Sequence, residues 1–257
     1  MTTVRRDVLE LRAFYATPLG AAAQAAIAGK LAEAWGDARG LDLLGLGYAT
    51  PYLGAFTSTA RRTVASMSET QGVEAWPSGG RNLTCLAGDL ELPFPNALFD
   101  RVLVIHGLEE SDDPTAYLEE VRRVMSPSGR MIAAVAARRG LWAGSEATPF
   151  GHGRPFSRSQ IEATVRAAGL EPVAWSRCLY APPLQMAAGL ADTFEQVGSR
   201  LWPPFSGLIL LEAVKQTFAL LPKGLGAPAR VRPTFAPQPA PAARDRGDQA
   251  RPDWPGV

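Results

Sequence analysis

The amino-acid sequence predicts an α/β fold: a doubly wound, mostly parallel sheet of seven strands, with helices on both faces and an antiparallel last strand. Three observations carry this. Short apolar runs with little polar interruption recur along the chain, as strands buried on both faces of a parallel sheet require. Helical segments separate most of these runs, which is the alternation of a parallel α/β sheet. The link between the last two runs is a long insertion, which suits a final strand running antiparallel.

The elements follow in order. Thr17 to Trp35 is alanine-rich, with Leu19, Ala23, Ile27, Leu31 and Ala34 at helical spacing, and Thr17-Pro18 supplies an N-cap and a first-turn proline. Gly40 punctuates, and Leu41–Leu44 reads as the first strand. Tyr52–Phe56 begins a short helix, and Thr63–Met67 is a second strand. Asn82–Asp89 is a third strand and Arg101–Gly107 a fourth. Asp113 caps a helix opened by Pro114, whose late arginines, Arg122 and Arg123, suit the helix dipole. Ser126–Gly129 makes a turn into a fifth strand, Met131–Ala136. Ser157 and Gln160 form a capping box for a helix ending near Gly169. Glu171–Tyr180 and Gly207–Phe218 are the last two strands, separated by a helical insertion over Gln185–Leu201.

The composition bounds the rest. With 257 residues and 46% hydrophobic content, the chain builds one sizeable core. A single domain is expected over residues 1–221, comprising an N-terminal helix (17–35), a core (41–169) and C-terminal strands with their insertion (170–221). Residues 222–257 are rich in Pro, Ala and Arg, with too few apolar side chains to bury, and read as a disordered tail. A net charge of +1 gives no field that would steer the protein to nucleic acid. No window approaches the ~20 apolar residues of a membrane span, and the N-terminus lacks the apolar stretch of a signal peptide, so no membrane is expected and the cytoplasm is the expected location. Two histidines and the distant Cys85 and Cys178 offer no metal-ligand spacing, so no metal is expected.

The chemistry turns on "LDLLGLGYATPYLGAF", Leu41 to Phe56. Its apolar run ends in Gly45-Leu46-Gly47, like a nucleotide-binding turn. A third glycine is missing, however, with Ala49 followed by Thr50-Pro51. A pyrophosphate needs close approach to backbone N–H groups at a helix start, and Pro51 removes one. An NAD-dependent oxidoreductase is therefore disfavoured.

Further along stands "AGDLELPFPNALFDRVLVIHGLEESDDPTAYLEEVRRVMSPSGRMIAAV". Its Gly88-Asp89, Leu92-Pro93-Phe94-Pro95, Phe99-Asp100, His106 with Leu108-Glu109, and Pro127-Ser128-Gly129-Arg130 follow one another in the order and spacing of a known family. The stretch resembles the second half of the class I S-adenosylmethionine-dependent methyltransferase core, in the branch grouped with quinone-biosynthesis methylases. The resemblance covers roughly Leu41 to Gly169 and implies a Rossmann-like sheet, S-adenosyl-L-methionine as cofactor and a small-molecule substrate.

It also implies roles for residues. Gly45 and Gly47 would let the backbone approach the methionine and ribose portions of the cofactor. Asp89, with the N–H of Leu90, would contact the adenine. His106 and Gly107 would lie beside the reacting methyl, and Tyr15 would cover the cofactor's carboxylate end or pack on the sheet edge. The family's ribose-binding acid is displaced: Ser68 holds its position and Glu69 comes one residue later, where strand alternation can turn it away. His106 is the candidate base, or a strand-end hydrogen-bonding group. The loop holding His152 and Arg154, with Gly151 and Gly153, is expected to gate the substrate, while Trp202 and Phe205 line the substrate side or pack in the core. The altered first and second motifs leave a second expectation, a catalytically inactive methyltransferase-like binding or regulatory protein. A nucleic-acid methylase is disfavoured by the balanced charge and by the lack of an Asn/Asp-Pro-Pro-aromatic signature.

Overall fold

The structure is a computed structural model that describes residues 6–201 and 205–215. Trp202 and the segment from Pro222 onward lie outside these residues. Seven strands form one sheet in the order β3-β2-β1-β4-β5-β7-β6: β1 (Asp42–Gly47), β2 (Arg62–Ser68), β3 (Thr84–Ala87), β4 (Phe99–Ile105), β5 (Met125–Ala136), β6 (Leu170–Cys178) and β7 (Leu208–Lys215). β1 to β5 pair in parallel, and β7 runs antiparallel between β5 and β6. The winding reverses between β1 and β4, which opens a crevice at their carboxyl ends, where α/β sheets of this kind place ligands.

Side-chain alternation splits the core into two layers. Leu43, Leu103, Ile105 and Ala134 face the helices α1 (Val8–Tyr15), α2 (Pro18–Trp35) and α3 (Thr50–Leu53). Leu44, Val102, Val104 and Ala133 face α4 (Pro114–Val124) and α5 (Arg158–Ala167). The insertion before β7 carries α6 (Ala191–Leu201). The caps read from sequence form as hydrogen bonds: Thr17 accepts from Gly20 N, Asp113 from Thr115 N and Ala116 N, and Ser157 with Gln160 closes its box.

Two local features differ from the sequence reading. Helix α1 was not expected, since eight residues carry too short a period to stand out. It forms because Asp7 accepts from the Leu9 and Glu10 amides and because Val8, Leu11 and Phe14 share one buried face. The expected turn Ser126–Gly129 lies inside β5, whose pairing jumps from Phe99↔Met125 to Arg101↔Arg130, so a register shift absorbs the extra residues.

Candidate functional site

The crevice at the reversal point is built on glycines. β1 ends at Gly47 with φ +72°, and a Cβ there would lie 2.2 Å from the Ile105 carbonyl oxygen. A Cβ on Gly45 would lie 2.6 Å from the Ala49 Cβ. On the far side of the crevice, a Cβ on Gly107 would come within 2.8 Å of the Tyr117 hydroxyl. These glycines therefore let β1 and its loop press against α3 and the end of β4, whatever else the crevice holds. Tyr48 N locks the approach by donating to Ile105 O over 3.0 Å.

His106 follows β4 with φ +53°, a left-handed conformation that side chains seldom adopt. Its carbonyl accepts from Gln71 Nε2 at 3.1 Å, and Val8 N, at the start of α1, donates to Gln71 O at 2.9 Å. Above it, Tyr15 OH lies 2.7 Å from His106 Nε2 and 2.7 Å from Tyr52 OH. The Tyr15 ring stacks on Tyr48 at 5.7 Å between centroids, and Phe150 lies 4.5 Å from the imidazole. Helix α1 thus roofs the crevice, with Tyr15 as its inserted side chain. Tyr48 continues outward to Glu74, donating at 2.8 Å, and Glu74 pairs with Arg12 of α1.

Burial sets the electrostatics of this cluster. It lowers the His106 pKa to about 3, so the ring is neutral and Nε2 is available as an acceptor. It also pushes the Tyr15, Tyr48 and Tyr52 hydroxyls above their ordinary range, so all three remain protonated. Glu109 is fully buried and raised to about 7, chiefly by desolvation, which backbone amides partly offset. Its Oε1 accepts from Ala136 N at 3.1 Å, while its Oε2 and the Oε1 of Gln71 have no hydrogen-bond partner among the described residues.

The other site residues read from sequence separate into groups. Ser68 ends β2, buried, and donates to Asp89 Oδ2 at 3.1 Å. Asp89 is partly exposed, and both Glu69 and Leu90 are exposed. His152 and Arg154 sit apart from the imidazole: His152 Nε2 meets Arg6 Nη2 just ahead of α1, and Arg154 N donates to the Glu109 carbonyl at 2.7 Å. The Arg154 side chain is exposed. Phe205 is exposed and lines a separate cavity with Tyr180 and Phe194. Sequence reasoning assigned no role to Tyr48, Tyr52, Gln71 or Glu109. A signal existed for the tyrosines, since "GYATPY" sets them four residues apart directly after the glycine turn. Nothing local marks Gln71, which reaches the crevice by a loop.

Residues 41–133 match a family described as a methyltransferase domain. A curated relative, the ubiquinone/menaquinone biosynthesis C-methyltransferase UbiE of Ralstonia nicotianae, is 43% identical over 49 residues, which are 19% of this chain and 20% of the relative. Among solved structures, the [4+2]-cyclase SpnF is similar with a TM-score of 0.54 and 22% identity, over 74% of this chain and 79% of that one. An S-adenosylmethionine-dependent methyltransferase from Mesorhizobium loti has a TM-score of 0.52 and 13% identity, over 70% and 93%. At these identities the solved structures share the fold alone. A cyclase among them is a reminder that this architecture does not dictate one reaction.

Proposed function

We propose that this chain, whose residues 41–133 match a methyltransferase domain family, transfers the methyl group of S-adenosylmethionine to a small molecule. One observation carries the proposal. Within the family-matched residues 41–133, the glycine turn Gly45-Leu46-Gly47, Asp89, His106 and Glu109 all stand at or just beyond carboxyl ends of β1, β3 and β4, around the reversal of the sheet.

The residues fit such a cofactor in their chemistry. The ribose hydroxyls, the adenine amine and the methionine ammonium of S-adenosylmethionine are donors. The crevice offers acceptors: the partly exposed Asp89 carboxylate, oriented by Ser68, and the unpartnered buried oxygens of Gln71 and Glu109. In space they fit only when Tyr15 leaves the crevice, because its ring lies between Tyr48, Tyr52 and His106. Undocking of α1 is therefore part of the reading.

The bound sulfonium supplies an electrophilic methyl group, and the protein's task is to align a nucleophile with it and exclude water. In this reading Asp89 and Gln71 hold the cofactor. His106 serves as a hydrogen-bond acceptor that orients a hydroxyl, the position Tyr15 OH takes when α1 is docked. Glu109, whose buried carboxyl is raised to about 7 with α1 docked, is a second group placed to take a proton from a substrate.

Calorimetric titration of the full chain with S-adenosylmethionine, S-adenosylhomocysteine and NAD tests the proposal. Saturable binding of the first two and none of the third is expected. Absence of any sulfonium or thioether nucleoside binding at concentrations on the order of 1 mM would overturn it.

A further inference from the structure

A second concave site lies on the opposite face of the sheet. A cavity of about 560 Å³ opens where β5 and β6 end, β7 begins and α5 starts. Its apolar wall includes Ala137, Phe156 and Ile209, which belong to the core layer under α4 and α5. The residues around His106, by contrast, belong with Ile105, Ala136 and Phe150 to the layer under α1 and α2. The inference therefore stands independently of the methyl-transfer proposal.

Four arginines line this cavity, Arg138, Arg139, Arg158 and Arg177, against one acidic residue, Glu162. That carboxylate is already engaged by Arg158 at 2.6 Å and by Arg166 at 3.6 Å. Arg158 and Arg177 both lie over the Trp175 ring, at 4.2 and 5.0 Å from its centroid, which holds two like charges close together. Burial, and secondarily the Arg158 charge, pushes the Arg177 pKa below its ordinary value, against the opposing influence of Tyr180. The ten-residue helix α5 begins at the same place and directs its positive dipole end there. Ser206 lines the cavity too. It is 1% exposed, and its hydroxyl has no hydrogen-bond partner among the described residues. A buried hydroxyl without a partner costs stability, and an acceptor oxygen brought to it would relieve that cost, while positive charge gathered at one place favours an anion.

We propose that this cavity is a binding site for a small phosphate-bearing ligand. Phosphate presents several acceptor oxygens to donors converging from different elements, and it matches both guanidinium forks and a helix start. The concave shape and the apolar wall at Phe156 leave room for a compact organic body beside the phosphate.

The test is calorimetry of the full chain at low ionic strength with inorganic phosphate, pyrophosphate and ribose 5-phosphate. Saturable binding is expected. The double variant Arg138→Gln/Arg139→Gln, altered at two exposed positions, should weaken it by about tenfold or more. Ser206→Ala should also weaken it while melting no lower than the parent in phosphate-free buffer, because the lost hydroxyl has no partner to forfeit. S-adenosylhomocysteine binding should be the same in every variant. Tighter binding of ribose 5-phosphate than of inorganic phosphate would identify an organic phosphate, and equal binding a free one; either supports the site. No saturable binding at concentrations on the order of 10 mM, or equal binding in the arginine variant and the parent, would overturn it. So would retention of duplex DNA alone.

Discussion

The hydroxyl of Tyr15, the last residue of α1, lies 2.7 Å from Nε2 of His106, the first residue beyond β4, and 2.7 Å from the hydroxyl of Tyr52. One proton arrangement serves all three groups: Tyr52 donates to Tyr15, Tyr15 donates to Nε2, and the imidazole carries its proton on Nδ1. The neutral state that burial imposes on His106 makes this possible, since a protonated ring could not accept. A helix that the sequence barely signals is thereby fastened to the centre of the candidate site.

Tyr15→Phe removes that fastening while keeping the ring. His106 Nε2 and the Tyr52 hydroxyl would both lose a partner in a buried setting, so a loss of about 1–3 kcal/mol is expected. Urea denaturation of the parent and variant measures it. Equal midpoints would mean that the hydroxyl contributes nothing to holding α1.

The glycines of the turn give a sharper contrast. Gly47→Ala would set a methyl group 2.2 Å from the Ile105 carbonyl on a residue with φ +72°, and a loss of more than about 3 kcal/mol is expected. A Cβ on Gly54, a few residues on, meets nothing within 4 Å, so Gly54→Ala should stay within about 1 kcal/mol of the parent. Thermal melting of the two variants makes the comparison. Comparable losses in both would show that the close approach of β1 to β4 is not what Gly47 serves.

These two cases also show what a sequence can disclose. The sheet was legible because burial on both faces forces unbroken apolar runs, such as Val102 to Ile105, and because caps such as Asp113 and Ser157 act over three residues. The strand-end positions Gly47, Asp89 and His106 were legible for the same reason: they fall where those runs stop. What fills the crevice was not. Tyr15, Gln71 and Tyr52 meet there through packing between segments far apart in the chain, and Glu109 became distinctive only once buried beneath Arg154 and against Ala136. The displaced acid was half legible. Alternation predicted that Ser68 and Glu69 would face differently, and Ser68 is the buried one, turned toward Asp89.

That placement predicts different roles for two carboxylates. Asp89→Ala should weaken S-adenosylhomocysteine binding by about tenfold, the worth of a hydrogen bond to a charged acceptor. Glu69→Ala should leave it unchanged, since Glu69 is exposed while Ser68 holds the buried end of β2. Calorimetry of both variants decides the point, and a larger loss in the Glu69 variant would reverse the assignment.

Glu109 predicts a pH dependence with a definite sign. Folding raises its pKa from 4.5 to about 7, so between those values the folded chain holds a proton that the unfolded chain releases. Its favourable neutral form is fully present below about pH 4.5, and the stability it confers is lost as pH rises through about 7. His106 works the other way: its value falls from 6.5 to about 3, so its contribution is lost as the solution is acidified through that range. Glu109→Gln keeps an acceptor for Ala136 N and cannot ionise. Relative to the parent, the variant should therefore gain stability steadily from about pH 4.5 to above 7, as read by chemical denaturation at each pH. A constant difference across that range would show that Glu109 does not titrate in the fold.

The last prediction concerns entry to the crevice. Just ahead of α1, Arg6 Nη2 donates to the Glu146 carbonyl at 2.8 Å and meets His152 Nε2, so the loop after β5 holds the start of α1 as Tyr15 holds its end. If the cofactor binds only when α1 is undocked, its apparent affinity is scaled down by the undocked fraction. Arg6→Ala removes the contacts to Glu146 and His152 without touching the crevice. It should raise that fraction and tighten S-adenosylhomocysteine binding by up to about tenfold, on the order of one or two hydrogen bonds. Faster tryptic cleavage at Arg12 should accompany the gain, because α1 would be exposed more often. Faster cleavage with no change in affinity would show that the helix opens but does not control the crevice. Weaker binding would mean that α1 belongs to the bound state and Tyr15 turns aside without it.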